Sequence, residues 1–321
     1  MLLGNLKRKN ILGYIWTIAC LICFLSFLVF GNKLSVSVSR SLEVCAKTLI
    51  PSLFPLMIAS RLLIDCGAGR VIGKIFKIPC KYILGLSEGG AFAFSMGLVC
   101  GFPIGAICAR SLYDKGIIGG DELSLTVVCS SVPSFAFIVG AIGEKMLGNR
   151  GEGMILYLCA IASAIITGVI YRFTICSGKV FEGGALDEKG GGGIVKKFTD
   201  SITVSVKNML SVCGFVVFFS LICELSGCFL SVLGVPQSVK ILLYGCMELS
   251  SGAIAASKLS GALSLVWCGA FIGWSGLCVH LQILSVCSGA KVNIWRFWGF
   301  KLVFAFVCGA LVFLLFILTM V

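Results

Sequence analysis

The chain has 321 residues, of which 58% are hydrophobic and only 12% charged. A soluble domain is nearer one quarter charged, so this composition excludes an ordinary soluble protein and indicates a polytopic membrane protein. The formal net charge of +12 sits in short basic loops between apolar runs, where it sets topology and meets anionic lipid headgroups; no pattern of aromatic and basic residues indicates nucleic-acid binding.

The 18 cysteines are scattered through apolar runs, where we interpret them as small apolar side chains. Cys20 and Cys23 have a C-x-x-C spacing, but no second pair or histidine lies nearby. We therefore predict no metal site and no cofactor, and we expect a reducing environment for the loops.

The chain begins with an N-terminal unit, residues 1–41, made of one span and an amphipathic interfacial segment. Ile11–Phe30 has 20 residues without a charge, long enough to cross a bilayer. Lys7, Arg8 and Lys9 precede it and favour a cytoplasmic N-terminus.

Residues 42–176 form the predicted first repeat. It starts with a span at Leu49–Ile64 and continues with a basic surface helix at Arg70–Lys81. Two interrupted segments follow, the first in Gly97–Arg110 and the second at Cys129–Phe135, before an uninterrupted span at Gly153–Phe173. Glycine and proline interrupt an apolar helix because they weaken its backbone ladder.

A polar, glycine-rich linker is predicted for residues 177–200, and a second repeat for residues 201–321. Apolar runs recur in this half at Thr203–Leu225, Val239–Ala256, Leu263–Val286 and Trp298–Met320. The last run starts with a predicted interfacial anchor of two tryptophans and three basic residues. These are Lys291, Trp295, Arg296, Trp298 and Lys301.

The two halves match in sequence and in the order of their elements. "GAICARSL" at Gly105–Leu112 and "GAIAASKL" at Gly252–Leu259 are identical at five of eight positions. Each half also has paired segments interrupted by small and polar residues, which points to a transporter of internal repeats. We therefore predict an all-α fold of two inverted repeats with discontinuous or re-entrant helices, about eight to ten membrane segments in all.

Helix breaks at membrane depth are tolerated only inside protein or against a wet cavity, and the freed helix ends attract ions. The breaks near 101–105 and 130–134 are predicted to meet those near 248–252 and 276–282. The predicted substrate-binding residues are Gly101, Pro103, Gly105, Arg110, Ser130, Ser131, Ser134, Ser250, Ser251 and Gly252. Two alternatives stay open: the glycines form a G-x-x-x-G helix contact, and Arg110 snorkels to the interface.

Glu248, His280 and Gln282 are polar groups within apolar segments, and they are the candidates for coupling transport to a cation, H⁺ or Na⁺. Glu248 is expected to pair with Arg110 or Lys258, or to bind the cation. The alternative for His280 is a neutral ring bonded to a neighbouring helix. With one histidine and no hydrolase or nucleotide-binding motif, the sequence does not indicate an enzyme.

Four ordered motifs resemble a known family: "PSLFPLMIASRLL", "GLVCGFPIGAICARSLYDKG", "CSSVPSFAFIVGAIG" and "GWSGLCVHLQIL". They are similar to the YlbJ-type sporulation integral membrane proteins, within the wider group that carries the nucleoside-recognition or gate domain. That resemblance implies a fold like part of the concentrative nucleoside transporters. It also implies movement of dipicolinic acid from the mother cell towards the spore across the outer forespore membrane.

The helix breaks and charges thus predict a transporter of a small anionic solute that works by alternating access around a midplane site, and the resemblance implies that the solute is dipicolinic acid. One alternative is a transporter of nucleosides or other metabolites with the same fold. Another is a membrane protein that assembles the spore envelope and transports nothing. Membrane lipid is the other expected partner, and the sequence indicates no oligomeric state.

Overall fold

The computed structural model describes residues 24–184 and 193–320, together with Tyr14, Thr17, Ile18 and Leu21. The predicted cytoplasmic basic residues, the C-x-x-C cysteines and nine of the 20 residues of the first predicted span lie outside the described residues. So do residues 185–192 of the predicted linker.

Every regular element in the described ranges is helical, which confirms the predicted all-α class. The helices are α1 (Gly31–Val44), α2 (Ile50–Asp65), α3 (Gly69–Leu84), α4 (Glu88–Cys100), α5 (Ile104–Asp114), α6 (Gly120–Ser130), a π-helix (Ala136–Met146), α7 (Arg150–Thr174), α8 (Ile194–Val232), α9 (Gln237–Met247), α10 (Leu249–Ala256), α11 (Ala262–Trp274), α12 (Gly276–Val286) and α13 (Ile294–Met320). A short π-helical turn, Cys45–Leu49, joins α1 to α2.

Four stretches of the described chain are long and apolar enough to cross a membrane: Arg150–Thr174, Ile194–Val232, Ala262–Val286 and Ile294–Leu318. The number rises to six if α1 with α2, and α3 with α4, each count as one bent span. Helices as short as α5, with 11 residues, and α10, with 8, cannot cross alone. The predicted eight to ten segments are therefore reached only by counting such helices as re-entrant elements.

Helix α3 lies on the surface, as predicted, and turns by 97° into α4. Its buried residues are limited to one narrow stripe that includes Gly73 and Cys80. The exposed face combines basic Lys74 and Lys77 with large apolar residues such as Ile75. A helix that exposes both kinds of side chain suits the boundary between lipid and water.

Arg172 fastens the end of α3 to α7. Its guanidinium donates to the carbonyl oxygens of Tyr82 at 2.7 Å and Ile83 at 3.1 Å. It also donates to the carbonyl oxygens of Gly178 and Lys179, both at 3.2 Å. Tyr82 and Ile83 lie in the last turn of α3, and Gly178 and Lys179 follow the end of α7. A cation is favoured at such helix ends.

The predicted linker, residues 177–200, differs from the structure at both of its described ends. The Phe181 N–H donates to the Gly85 carbonyl at 2.7 Å, and the Gly184 N–H to the Ile117 carbonyl at 3.0 Å. The segment 177–184 is therefore held against the first half. At the other end α8 has already begun at Ile194, because the apolar and basic residues that follow continue a helix.

Asn149 caps α7, the uninterrupted helix of the first half. Its side-chain oxygen accepts from the N–H groups of Gly151 at 2.9 Å and Glu152 at 3.3 Å. We expect Asn149→Ala to destabilise the protein by about 1 kcal/mol, because both N–H groups lose their protein acceptor. Thermal unfolding in detergent measures this, and Asn149→Asp, which keeps the acceptor, should unfold at the wild-type temperature.

The hydrophobic core runs across both halves. One cluster contains Leu125 of α6 together with Met209 and Ile283 of the second half. The other combines Leu156 of α7 with Phe304 of α13. The two halves of the described chain thus share one core and do not form separate packed units.

Candidate functional site

The first two helix breaks lie where the sequence predicted them, and they touch each other. Helix α4 ends at Cys100 and α5 begins at Ile104, while α6 ends at Ser130 and the π-helix begins at Ala136. The Phe102 N–H donates to the Val132 carbonyl at 2.9 Å across the two breaks. Backbone groups that leave the helices are thus satisfied inside the protein.

Glycines allow this contact in two different ways. Gly101 has φ +82° and ψ −178°, a conformation that essentially only glycine adopts, and a Cβ there would overlap the Ser134 nitrogen. A Cβ on Gly97 or Gly105 would lie 2.5 or 2.7 Å from the Cβ of Ser130. Gly101 therefore forms the break, while the other two glycines form a close helix contact, so the two sequence interpretations apply to different residues.

The second pair of breaks forms a similar contact in the other half. Glu248 separates α9 from α10, and Ser275 separates α11 from α12. A Cβ on Gly276 would lie 3.0 Å from the Glu248 Cα, and the Trp274 indole donates to the Cys246 carbonyl at 3.0 Å. Gly252 packs so closely on Gly245 that a Cβ would overlap its Cα.

Lys301 of α13 connects the two pairs of breaks. Its ammonium donates to the Ser131 carbonyl and to the Ser275 hydroxyl, both at 3.0 Å. The sequence assigned Lys301 to an interfacial anchor, and this assignment was wrong because the side chain is completely buried. A lysine two turns inside an apolar helix is the signal that could have identified it.

Glu248 binds the start of its own helix and does not pair with Arg110 or Lys258. Its carboxylate accepts from the N–H groups of Ser250 at 2.8 Å and Ser251 at 2.7 Å, and from the Ser251 hydroxyl at 2.9 Å. The expected ion pair is thus replaced by an N-cap, since the freed N–H groups are the nearest donors. In this conformation the N-terminus of α10 is filled by the chain's own anion.

His280 is fully buried and bonded locally. Its Nε2 lies 2.6 Å from the Trp274 carbonyl, so this nitrogen carries the proton and donates. Its Nδ1 has no partner among the described residues. An added proton on Nδ1 would be both charged and unsatisfied, so the geometry favours a neutral ring.

Three of the remaining predicted polar residues form local hydrogen bonds. The Ser131 hydroxyl donates to the Val127 carbonyl, and the Ser134 hydroxyl accepts from the Phe137 N–H at 3.3 Å. The Gln282 amide donates to the Cys278 sulfur at 3.2 Å. The Ser130 hydroxyl is buried without a partner in the described part of the chain.

A cavity of about 600 Å³ opens beside the first break, between the two halves of the chain. Of the predicted site residues it includes Pro103, Arg110 and Gln282. It is lined by Arg61, Pro103, Ile107, Arg110, Ser111, Asp114, Lys115, Val204, Lys207, Asn208, Ser211, Val212, Gln282, Ser285 and Val286. The other predicted residues do not line it, so the structure divides the predicted site into this cavity and the buried breaks.

The charge of the cavity is strongly positive. Arg61, Arg110, Lys115 and Lys207 line it against a single carboxylate, Asp114. Arg110 pairs with that carboxylate at 2.8 Å and also donates to the Ser288 carbonyl at 2.5 Å. Arg110 therefore forms part of the cavity wall, where Asp114 and the Ser288 carbonyl hold its guanidinium.

The other basic side chains complete the cavity from separate helices. Lys115 and Arg61 lie 2.8 and 3.5 Å from Asp65, which is outside the lining. Lys207 of α8 is exposed and forms no ion pair with a described residue. These three residues were not predicted as site residues, because they lie on separate helices of both halves and only the fold brings them together.

A second cavity, of about 700 Å³, lies between α8 and α9 and includes Phe30 and Tyr244. Among the described residues that line it, Glu224 is the one that carries a charge. A single carboxylate does not suit an anionic solute. The positively charged cavity is therefore the better candidate for a ligand site.

The chain is similar to the sporulation integral membrane protein YlbJ of Bacillus subtilis (strain 168), with 24% identity over 330 aligned positions. The match covers 91% of this chain and 79% of that protein. No family model matches the chain, and no solved structure matches it. The protein is thus a multi-pass helical membrane protein, and its resemblance to the YlbJ-type sporulation integral membrane proteins, which four motifs first indicated, is confirmed by a match along nearly its whole length.

Proposed function

We propose that this protein transports a small anionic metabolite by alternating access, with dipicolinic acid as the solute. The observation that carries the proposal is the cavity between the halves, where Arg61, Arg110, Lys115 and Lys207 face one carboxylate. A volume of about 600 Å³ falls within the range of small-molecule sites. Guanidinium and ammonium groups recognise carboxylates by charge-assisted hydrogen bonds.

The position of the cavity supports alternating access. Its walls come from α2 and α5 of the first half and from α8 and α12 of the second half. A rocking motion between two repeats changes the access of a site that lies between them. The touching breaks beside Pro103 supply irregular backbone inside the protein, as transporters of this type have near their binding sites.

The charge of the cavity favours a dianion over a nucleoside. Dipicolinate carries two carboxylates on one aromatic ring, and three of the four basic groups belong to side chains that are only partly exposed. Arg110 pairs with Asp114, and Arg61 and Lys115 pair with Asp65, but Lys207 forms no ion pair with a described residue. An uncharged nucleoside would therefore leave an excess of positive charge in the cavity. A nucleoside carrier of the same two-repeat, gate-domain architecture is therefore the less favoured alternative.

The biological setting is inferred from the similarity to YlbJ, which is named as a sporulation integral membrane protein. We propose that this chain lies in the outer forespore membrane and moves dipicolinic acid from the mother cell towards the spore. A protein that only assembles the spore envelope is the other possibility in this setting. It would carry no solute.

Uptake of labelled dipicolinate by liposomes that contain the purified protein tests the proposal. We expect dipicolinate to accumulate and excess unlabelled dipicolinate to compete, while uridine neither enters nor competes. Uptake of uridine would favour the nucleoside carrier. Absence of any uptake by correctly inserted protein would favour the assembly protein.

Arg110→Gln is expected to lower dipicolinate uptake about ten-fold, which corresponds to about 1.4 kcal/mol of lost binding to the solute. Lys207→Gln should have a smaller effect in the same direction, because this lysine is more exposed. Lys240→Gln is the matched control, since Lys240 lies on α9 outside the cavity. Uptake by Arg110→Gln at the wild-type rate would contradict the assignment of this cavity as the solute site.

A further inference from the structure

Lys301 is a buried cation that the proposed solute site does not use. Its side chain is 0% exposed, about two turns from the start of an apolar helix of 27 residues. No carboxylate of the described residues forms an ion pair with it. An isolated charge in such surroundings is costly unless other groups of the protein compensate for it.

The compensation comes from the ends of two interrupted helices. The Ser131 carbonyl follows directly on the last residue of α6, and Ser275 is the residue directly after α11. The C-terminal end of a helix carries a partial negative charge, which favours a cation. The face of the Phe304 ring, 4.5 Å from the ammonium, adds a third favourable contact.

These two helix ends are matched elements of the two halves. Each belongs to the second interrupted segment of its half: the first lies within the predicted break at 130–134, and the second lies one residue before the predicted break at 276–282. Two other titratable groups of the described chain lie near Lys301. His280 of α12 is hydrogen-bonded to the Trp274 carbonyl, and Cys308 lies about two turns further along α13. The ammonium therefore lies where the two halves meet, facing dipoles and not a carboxylate.

We propose that Lys301 is a tethered monovalent cation: its ammonium fills a cation site formed by the C-terminal ends of α6 and α11 and holds the two halves in this arrangement. No Na⁺ is therefore needed between the C-terminal ends of α6 and α11. We also expect solute uptake to require no Na⁺, and this expectation rests on the proposed function. The occupancy of the cation site by Lys301 is independent of the proposed function.

The test compares the thermal unfolding of purified protein in detergent, in the chloride salts of Na⁺, methylammonium and N-methylglucamine at equal ionic strength. The variants are Lys301→Ala, which vacates the site, and Lys301→Met, which fills its volume without charge. Lys145→Ala, at an exposed lysine of the π-helix, is the control. The wild-type protein and the control are expected to unfold at the same temperature in all three salts.

We expect both Lys301 variants to unfold several degrees below the wild type, because the two helix ends lose their cation. Methylammonium should restore part of that difference for Lys301→Ala, since it can enter the vacated site. It should do nothing for Lys301→Met, whose side chain occupies the same volume. The measurement involves no transported solute, so its outcome is independent of the uptake experiment.

Three results would each overturn the proposal. The first is that Lys301→Met is as stable as the wild type, which would make the charge irrelevant. The second is that methylammonium has no effect on Lys301→Ala. The third is a saturable stabilisation of the wild-type protein by Na⁺, and this result, like the first, can be obtained even if Lys301→Ala does not fold.

Discussion

Gly101→Ala is expected to destabilise the protein by about 3 kcal/mol, the combined cost of a glycine-only backbone conformation and of steric overlap. Gly101 adopts φ +82° and ψ −178°. The added methyl group would overlap the backbone nitrogen of Ser134, which belongs to the neighbouring break and cannot move as a side chain could. Thermal unfolding in detergent, together with the yield of monodisperse protein, measures the effect.

Gly116→Ala is the matched control for this prediction. Gly116 also has a positive φ of +68°, but no atom lies within 4 Å of the position of its missing Cβ. The control therefore includes the strain of a left-handed backbone without the overlap, at a cost of about 1 kcal/mol. If the two variants proved equally stable, the contact between the first two breaks would not be as tight as the structure shows.

Glu248→Ala should cost about 3 kcal/mol, because two N–H groups and one hydroxyl would lose a charged acceptor in a buried position. The side chain of Glu248 is only 6% exposed, so water reaches those donors poorly. We expect Glu248→Gln to have an intermediate effect, since the amide keeps one oxygen acceptor. The midpoint of thermal unfolding again measures both variants.

The control for Glu248 is Glu224→Ala, at an exposed carboxylate of α8 that should leave the midpoint unchanged. The same variants distinguish a cap from a cation-coupling residue. If Glu248 bound the coupling cation, Glu248→Gln would change the dependence of uptake on pH or Na⁺ while the midpoint stayed at the wild-type value. A large loss of stability with unchanged ion dependence is what the cap requires.

The helix breaks could be read from the sequence because their causes are local. Gly101 and Pro103 interrupt an apolar run within three residues, and Glu248 places a carboxylate inside another apolar run. Such residues act on the backbone at their own position, whatever the rest of the fold does. The fourth break was located less well: it lies at Ser275, just before the predicted range, and Gln282 is within a continuous helix.

The hydrogen-bond and ion-pair partners of the polar residues were predicted less well than the helix breaks. The sequence suggested an ion pair between Glu248 and Arg110, but Asp114 lies one helical turn from Arg110 and takes that place. This pairing had a local signal, since side chains four residues apart on a helix are neighbours. The capping role of Glu248 also had a local signal in the sequence, because Ser250 and Ser251 follow a helix break and their N–H groups need an acceptor.

Hydropathy and glycine or proline content act over one span or one turn, so they indicate from local residue types a helical, multi-pass membrane protein with interrupted helices in both halves. The burial of Lys301 between the ends of α6 and α11, and the cavity that Lys207 shares with Arg110, are seen only in the folded chain. Each of these contacts joins residues at least 26 positions apart in the chain. Their proximity follows from the packing of whole helices across the two halves, which no local pattern of residue types encodes.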